Sequence, residues 1–455
     1  MYGLKCFVLQ NFMKAIIALE KPIYNLSNGK FCKNRFLSTV KTQMVGTNVK
    51  ILKSTEGSTY IAKMNPDGSF SEENFRILCS TDLHIDEDYE LNNRTLQHLA
   101  DRIADLKPDL VVLTGDCILS KYQQIDAIQF AKMMENIGVY WTYVFGNHEA
   151  REEKGSFKYQ LYKSFIDSPY CLCKFGDESL YGYGNFTINI MSDENTIRKT
   201  LVFFDSGRYL QEPYRTNDGV PADLKGADYI KFSQIEWYEN EIASLKKQYG
   251  EDLKSLIYLH IPIPEYRDLF TQNEDGTFTP NENVKVLYGE MREPMGGSWF
   301  NSGLFEAMKR NGTEAMFCGH DHCNDFCAEY EGIYLAYNQT GGYNCYRLYD
   351  SKVMSPDEST WHYGVNTTDI ASALRSRVCD MLIDATMKAA NDLGYKTIVL
   401  QGGEDAFYTD EKMVDIIKQH QKLEVELTEL ILVLIIQFMM VFLKVKQLEL
   451  MMNLR

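Results

Sequence analysis

Five short apolar runs, each ending in a turn that carries an aspartate, an asparagine or a histidine, constrain this chain more than any other feature. The turns are Thr81-Asp82-Leu83-His84, Thr114-Gly115-Asp116, Gly146-Asn147-His148-Glu149, His260-Ile261-Pro262 and Gly319-His320-Asp321-His322. Only eight histidines occur in 455 residues, and five of them lie in these turns. One such turn means little, because a lone Asp-x-His or Gly-Asn-His is common. All of them in order, each after a strand-like run, point to polar side chains collected at one edge of a sheet, where ligands gather in open α/β folds.

The segments between the turns set the fold class. Residues 75–80 read as a strand, and 92–106 as a helix with Leu96, Leu99, Ile103 and Leu106 three and four apart. A buried strand at 110–113, a helix at 122–137 and a strand at 139–145 continue the alternation, which argues for an α/β core. Runs at 182–190 and 200–204 read as strands with little helix between them. A helix at 232–248 and strands at 255–259, 315–318, 333–337 and 343–349 follow. This pattern favours two mixed β-sheets packed as a sandwich and flanked by helices over a single doubly wound sheet. Residues 262–298, with Pro262, Pro264 and several Asn and Gly, read as a long loop that walls a cleft, with Arg292 and nearby aromatics selecting substrate.

Three regions are expected. Residues 1–60 form a basic extension, with eight Lys/Arg and one acidic residue, Glu20, in the first 50. Residues 61–350 form the main domain, and 351–455 a partial α/β or helical appendage. The apolar run 430–443 is short for a membrane span and reads as a buried helix, with weak membrane contact as the alternative. The 11 cysteines are odd in number and contain no CxxC pair, so a zinc ribbon is excluded. Reduced, buried thiols point to the cytoplasm, with organellar targeting or tail anchoring as alternatives. A net charge of −16 argues against a nucleic-acid partner. The acidic run Asp86-Glu87-Asp88 reads as a solvated face, and His98, His362 and His420 as bystanders.

The turns supply a mixed set of donors: Asp82, Asp116, Asn147, His84, His260, His320 and His322. Imidazoles with carboxylates suit Mn, Fe, Zn or Co better than calcium, which prefers oxygen. Two ions close together need a bridging carboxylate, and Asp116 is the natural one.

These motifs resemble those of the calcineurin-like metallophosphoesterases. His260-Ile-Pro-Ile-Pro-Glu265, Gly319-His-Asp-His-Cys-Asn-Asp325 and Gly341-Gly342-Tyr343 are similar to the purple-acid-phosphatase-like branch. The resemblance covers about residues 60–350 and implies that fold. It also implies two divalent or mixed-valence ions: Asp82, His84 and His322 on one, Asn147, His260 and His320 on the other, Asp116 between them. His148 is implied as a non-ligand that contacts phosphate or protonates the leaving group. Glu149, Asp321 and Asp325 are the carboxylates expected to support these residues, Glu149 by orienting His148. Purple enzymes carry a tyrosine three residues after the bridging aspartate, where this chain has Leu119. A tyrosinate–iron colour is therefore not expected, and the metal stays open among Mn, Fe and Zn.

The implied activity is hydrolysis of phosphomonoesters by a metal-bridging hydroxide, with His148 as the acid and a phosphorylated small molecule or phosphoprotein as substrate. A phosphodiesterase with the same centre and an inactive binding or scaffold protein are the competing readings. Residues 393–411 separately resemble a stretch of radical-SAM hydrogenase-maturation enzymes. The cluster-binding cysteines of those enzymes are absent, so no iron–sulfur chemistry is expected.

Overall fold

The computed structural model describes residues 40–149 and 158–345. The segments at 393–411 and 430–443, His362 and His420 lie outside them. The chain opens with an antiparallel pair, β1 (Val49–Ser54) and β2 (Ser58–Lys63). Three βα steps follow: β3 (Ile77–Ser80), α1 (Tyr89–Leu106), β4 (Leu110–Leu113), α2 (Gln123–Ile137), β5 (Trp141–Tyr143) and α3 (Lys158–Ile166). Then come β6 (Phe186–Met191), β7 (Ile197–Phe203), a one-turn helix α4 (Tyr214–Asn217), α5 (Phe232–Tyr249) and β8 (Ser255–Tyr258). A small hairpin, β9 (Phe270–Gln272) and β10 (Phe278–Pro280), precedes β11 (Val284–Glu290), α6 (Leu304–Asn311), β12 (Thr313–Cys318), β13 (Asp325–Tyr330) and β14 (Ile333–Tyr337).

Two unequal sheets carry the site. The larger has nine strands in the order β1-β2-β6-β7-β8-β12-β14-β13-β11 and mixes parallel with antiparallel pairs. The smaller has three strands, β3-β4-β5, and is parallel throughout. Strand β4 is fully buried, as Leu110-Val-Val-Leu113 demands of a strand covered on both faces. One core lies between the sheets and under α1 and α2; Leu96, Leu99 and Ile103 of α1 are buried in it. A second core lies between the larger sheet and α5 and α6, built on Ile235, Tyr238, Phe305 and Met308.

An aromatic ladder runs across the inter-sheet face of the larger sheet. Phe186, Phe203, Tyr258 and Phe317 sit in register on β6, β7, β8 and β12. Their rings stack nearly parallel, with centroids 4.6, 5.2 and 5.0 Å apart. Cross-strand aromatic pairs each contribute roughly 0.2–1 kcal/mol. This ladder fixes the register of β7, β8 and β12, and the ends of β8 and β12 run directly into His260 and Gly319.

Two expectations change. The sheet begins at Val49, because β2 pairs with β6; a boundary at residue 60 would cut that strand. The stretch 262–298 is not one loop. It holds a 3-10 turn (Pro264–Asp268), the β9–β10 hairpin and β11, an edge strand of the larger sheet. The acidic run keeps its solvated face, with Glu87 and Asp88 exposed; Asp88 also caps α1 by accepting from the Glu90 and Leu91 amides, and Glu87 accepts from the Lys121 amide.

Candidate metal centre

Four proposed ligands share an unusual backbone. Among the described residues, six non-glycine residues have positive φ, and Asp82, His84, Asp116 and His320 are four of them. Non-glycine residues rarely adopt this region, and those that do cluster at functional sites. The chain leaves β3, β4 and β12 through these left-handed turns, which swing the side chains back over the strand ends. The approach is close enough to need glycine. A Cβ on Gly115 would lie 2.6 Å from His260 Nδ1, and one on Gly319 would lie 2.6 Å from Asp82 Oδ2.

The donors fall into two groups, Asp82 with His84 and His322, and Asp116 with His260 and His320. In the first, His84 Nε2 and His322 Nε2 lie 3.6 and 3.4 Å from Asp82 Oδ1. In the second, His260 Nε2 lies 3.1 Å from Asp116 Oδ2 and 3.1 Å from Asn147 Oδ1, and His320 Nδ1 lies 2.8 Å from Asn147 Oδ1. Donors about 2.1 Å from a shared ion, at tetrahedral or octahedral angles, would lie roughly 3.0–3.4 Å apart. Asp82 Oδ1 and His84 Nε2 are buried and have no hydrogen-bond partner, a need that a shared metal ion would meet. The residues therefore fit a pair of metal ions. Asp116 stands in the second group, and its recorded links to the first are through backbone: the Asp82 and His84 amides donate to the Gly115 and Asp116 carbonyls at 2.9 and 3.1 Å.

Surrounding groups fix each donor. Asp82 Oδ2 accepts from Thr81 Oγ1 and the His320 amide, leaving Oδ1 for the site. His260 Nδ1 lies 2.7 Å from the Thr114 carbonyl. A carbonyl only accepts, so Nδ1 carries the proton and Nε2 faces the donors. Asp116 Oδ1 accepts from the His148 amide at 2.7 Å. The Thr81 and Thr114 contacts give no distinct sequence signal, being a hydroxyl beside its own motif and a backbone carbonyl.

Charge follows the same pattern. Burial raises the Asp82 carboxyl, but the neighbouring His260, His322 and His84 rings outweigh it and hold it well below its usual value. Burial also raises Asp116, and His260 and His148 reverse that. Burial and the neighbouring His322 keep the His84 ring below its usual value, so it is neutral and able to coordinate. Burial pulls His260 down, but Asp116 and Asp82 bring it up to about 9.

His148 stands apart from both groups, half-buried, with Nε2 3.8 Å from Asp116 Oδ2 and its ring 5.4 Å from that of His84. Glu149 does not perform the role expected of it. Its carboxylate accepts from the Asp116, Cys117, Ile118 and Gly146 amides, at 3.0, 2.6, 3.0 and 2.8 Å. It clamps the Asp116 turn to the Gly146 turn rather than orienting His148, whose carbonyl is held instead by Gln123. Burial, with Asp116 nearby, pushes the Glu149 carboxyl up to about 7, and the backbone donors oppose that shift. Asp321 binds the Gly296 amide and the Tyr337 hydroxyl, joining a loop to the His320 turn. Asp325 is paired with Arg292, away from the donors, and burial raises it to about 6 against that pull. Arg292 also pairs with Glu290, and its side chain is only 7% exposed. It is a strut of β11 and β13 and not the substrate-selecting cation expected. Leu119, in the tyrosine position, hydrogen-bonds through its amide to the Ile85 carbonyl.

The profile of the family described as Calcineurin-like phosphoesterase matches residues 75–324, more than half of the chain. The chain belongs to this family. It is 29% identical over 266 residues to "Probable inactive purple acid phosphatase 29" of Arabidopsis thaliana, covering 54% of this chain and 62% of that protein. It is 30% identical over 250 residues to "Phosphatase DCR2" of Saccharomyces cerevisiae, covering 52% of this chain and 40% of that protein. The matches thus span less than two thirds of these relatives' lengths. Among solved structures, a dimetal phosphatase from Danio rerio is 14% identical with a TM-score of 0.40, covering 59% of this chain and 88% of that one. The family supports metal-dependent phosphoester hydrolysis. The eight described cysteines are free thiols, and among the described residues no helix is long and apolar enough to cross a membrane.

Proposed function

We propose that this chain is a two-metal phosphatase acting on phosphomonoesters of a small molecule or a phosphoprotein. The observation that carries this reading is the pair of buried, unpartnered donors, Asp82 Oδ1 and His84 Nε2, facing a complete second set at Asp116, Asn147, His260 and His320. When bound, Mn, Fe or Zn ions supply a water nucleophile acidic enough for use near neutral pH and positive charge against the phosphoryl oxygens.

The chain's own residues do the rest. Asp82, His84 and His322 would hold one ion and Asn147, His260 and His320 the other, with Asp116 shared between them. His148 is tied by its amide to Asp116 and by its carbonyl to Gln123, so its ring is held beside the centre without joining it. As an imidazolium it donates a proton to the leaving oxygen, a step that contributes typically about 10²–10⁴-fold. The two protein anchors limit its sway, and its partial exposure leaves room for the ester.

Three relatives among the matches carry "inactive" in their names, which favours a second reading, a binding protein with a silent centre. The complete donor set in this chain argues for the enzyme. Metal analysis after supply of Mn, Fe and Zn separates the two, together with turnover of matched monoester and diester substrates. About two ions per chain with monoester turnover is the expected outcome. Bound metal without turnover of either ester leaves the silent reading, and faster diester turnover leaves a phosphodiesterase.

A further inference from the structure

Trp299 is the most exposed aromatic side chain among the described large apolar residues, at 66%. An exposed indole is unremarkable alone, but this one is held rigidly and close to the centre. Arg267 lies under it, with the guanidinium carbon 3.8 Å from the ring centroid. That guanidinium is itself fixed by donating to the Gly297 and Ser298 carbonyls. Residues 295–300 are seated on the turns of two ligands. The Gly296 amide donates to Asp321 Oδ2 at 2.8 Å, and a Cβ on Gly296 would lie 3.1 Å from His320 Nε2. Phe300 packs edge-on against Tyr229, 4.8 Å between centroids, which anchors the far end of the loop. Trp299 follows Gly296 by three positions, so their Cα atoms are at most roughly 11 Å apart even at full extension.

Resting on the proposed phosphatase reading, we infer that Trp299 is a specificity-determining platform that stacks a planar ring in the organic part of the ester. The cation beneath one indole face selects what suits the other. A second cation would be repelled by Arg267, whereas a neutral or electron-rich ring stacks favourably. The chemistry recognised is therefore a flat aromatic or heteroaromatic group in the organic part of the ester. A tyrosine-like ring and a nucleobase both meet that description.

The test compares benzyl phosphate with cyclohexylmethyl phosphate, whose leaving groups are both primary alkoxides, in wild type, W299A and W299F. Stacking worth about 1–1.5 kcal/mol predicts roughly a tenfold preference for the benzyl ester. W299A should abolish that preference through KM, with kcat nearly constant, and W299F should retain most of it. A nucleoside monophosphate assayed alongside separates the two ring sources. Calorimetric binding of benzylphosphonate against cyclohexylmethylphosphonate, to the metal-loaded protein, reads the ring preference without turnover. A chain that hydrolyses neither ester but prefers the benzyl ligand overturns the phosphatase reading and keeps the platform. Equal binding of the two phosphonates, or a preference that survives W299A with metal content and melting unchanged, overturns the platform.

Discussion

The two halves of the metal centre solve the same problem differently. In the second group the donors meet each other: His260 Nε2 bridges Asp116 and Asn147, its Nδ1 is tied to the Thr114 carbonyl, and His320 Nδ1 reaches Asn147. A proton on His260, favoured by Asp116 and Asp82 against the pull of burial, stands where an ion would. In the first group Asp82 Oδ1 and His84 Nε2 have no hydrogen-bond partner and His84 is kept neutral, although at His322 the pull of burial is outweighed by Cys345 and Asp82, which push that ring up. An unsatisfied buried polar group costs about 1–3 kcal/mol. One half thus tolerates the metal-free state through hydrogen bonds, and the other depends on the ion.

The strongest challenge to this division is Asp116→Ala. If Asp116 serves both halves, the variant loses both ions and turnover falls by at least about 10³-fold, the scale of removing a preorganised charge-stabilising group. Retention of one ion per chain, counted by metal analysis, would confine Asp116 to the second group and break the proposed bridge. His148→Ala probes a residue outside both halves. It should keep both ions and lose about 10²-fold in kcat on an alkyl phosphate, and less on an aryl phosphate whose leaving group needs no proton. Undiminished alkyl turnover would remove His148 from the proton-donor role.

Glu149 connects the two turns that supply Asp116 and Asn147. Glu149→Ala leaves its amide donors facing a void, and breaking a buried charged network costs about 3–5 kcal/mol. The expected result is a melting temperature lower by about 10 °C and weaker metal binding. A variant that melts like wild type would show that the clamp is unimportant.

Glu149 also marks the boundary of what the sequence discloses. Each ligand side chain follows a short apolar strand, so order and residue type expose it before any coordinates are known. Glu149 adjoins His148, and proximity along the chain suggests that it serves that histidine. The turn instead sends its carboxylate to amides of residues 116–118, more than thirty positions away. Backbone amides carry no sequence signature, so this contact is invisible in one dimension. Arg292 misled for a related reason: a cation in an apparent loop suggests substrate binding, yet Arg292 follows directly on the edge strand β11 and is paired with Glu290 at its end and with Asp325 of β13. The early hairpin was hidden because β1 is exposed along nearly its whole length and lacks an apolar face. The aromatic ladder required pairing β6, β7, β8 and β12 across 131 residues, which periodicity within one strand cannot supply.

The finest test of the contrast uses the metal-free protein. After chelation, His260→Ala should lose the Thr114 bond and the contacts to Asp116 and Asn147, leaving a buried carboxylate short of a partner. Its stability to urea should fall by about 3 kcal/mol. His84→Ala removes a buried nitrogen that bonds to nothing, while its amide still donates to the Asp116 carbonyl. The relief of that nitrogen offsets part of the cavity left behind, and the expected loss is about 1 kcal/mol. The measured quantity is the difference between the two variants, roughly 2 kcal/mol by this reasoning. Metal should enlarge the cost of His84→Ala: supplying ions stabilises wild type by about 4 kcal/mol at a thousandfold excess over Kd, and His84→Ala should forfeit much of that gain. If His84→Ala is as destabilising as His260→Ala in chelator, the first half is not waiting for an ion and the two halves are alike.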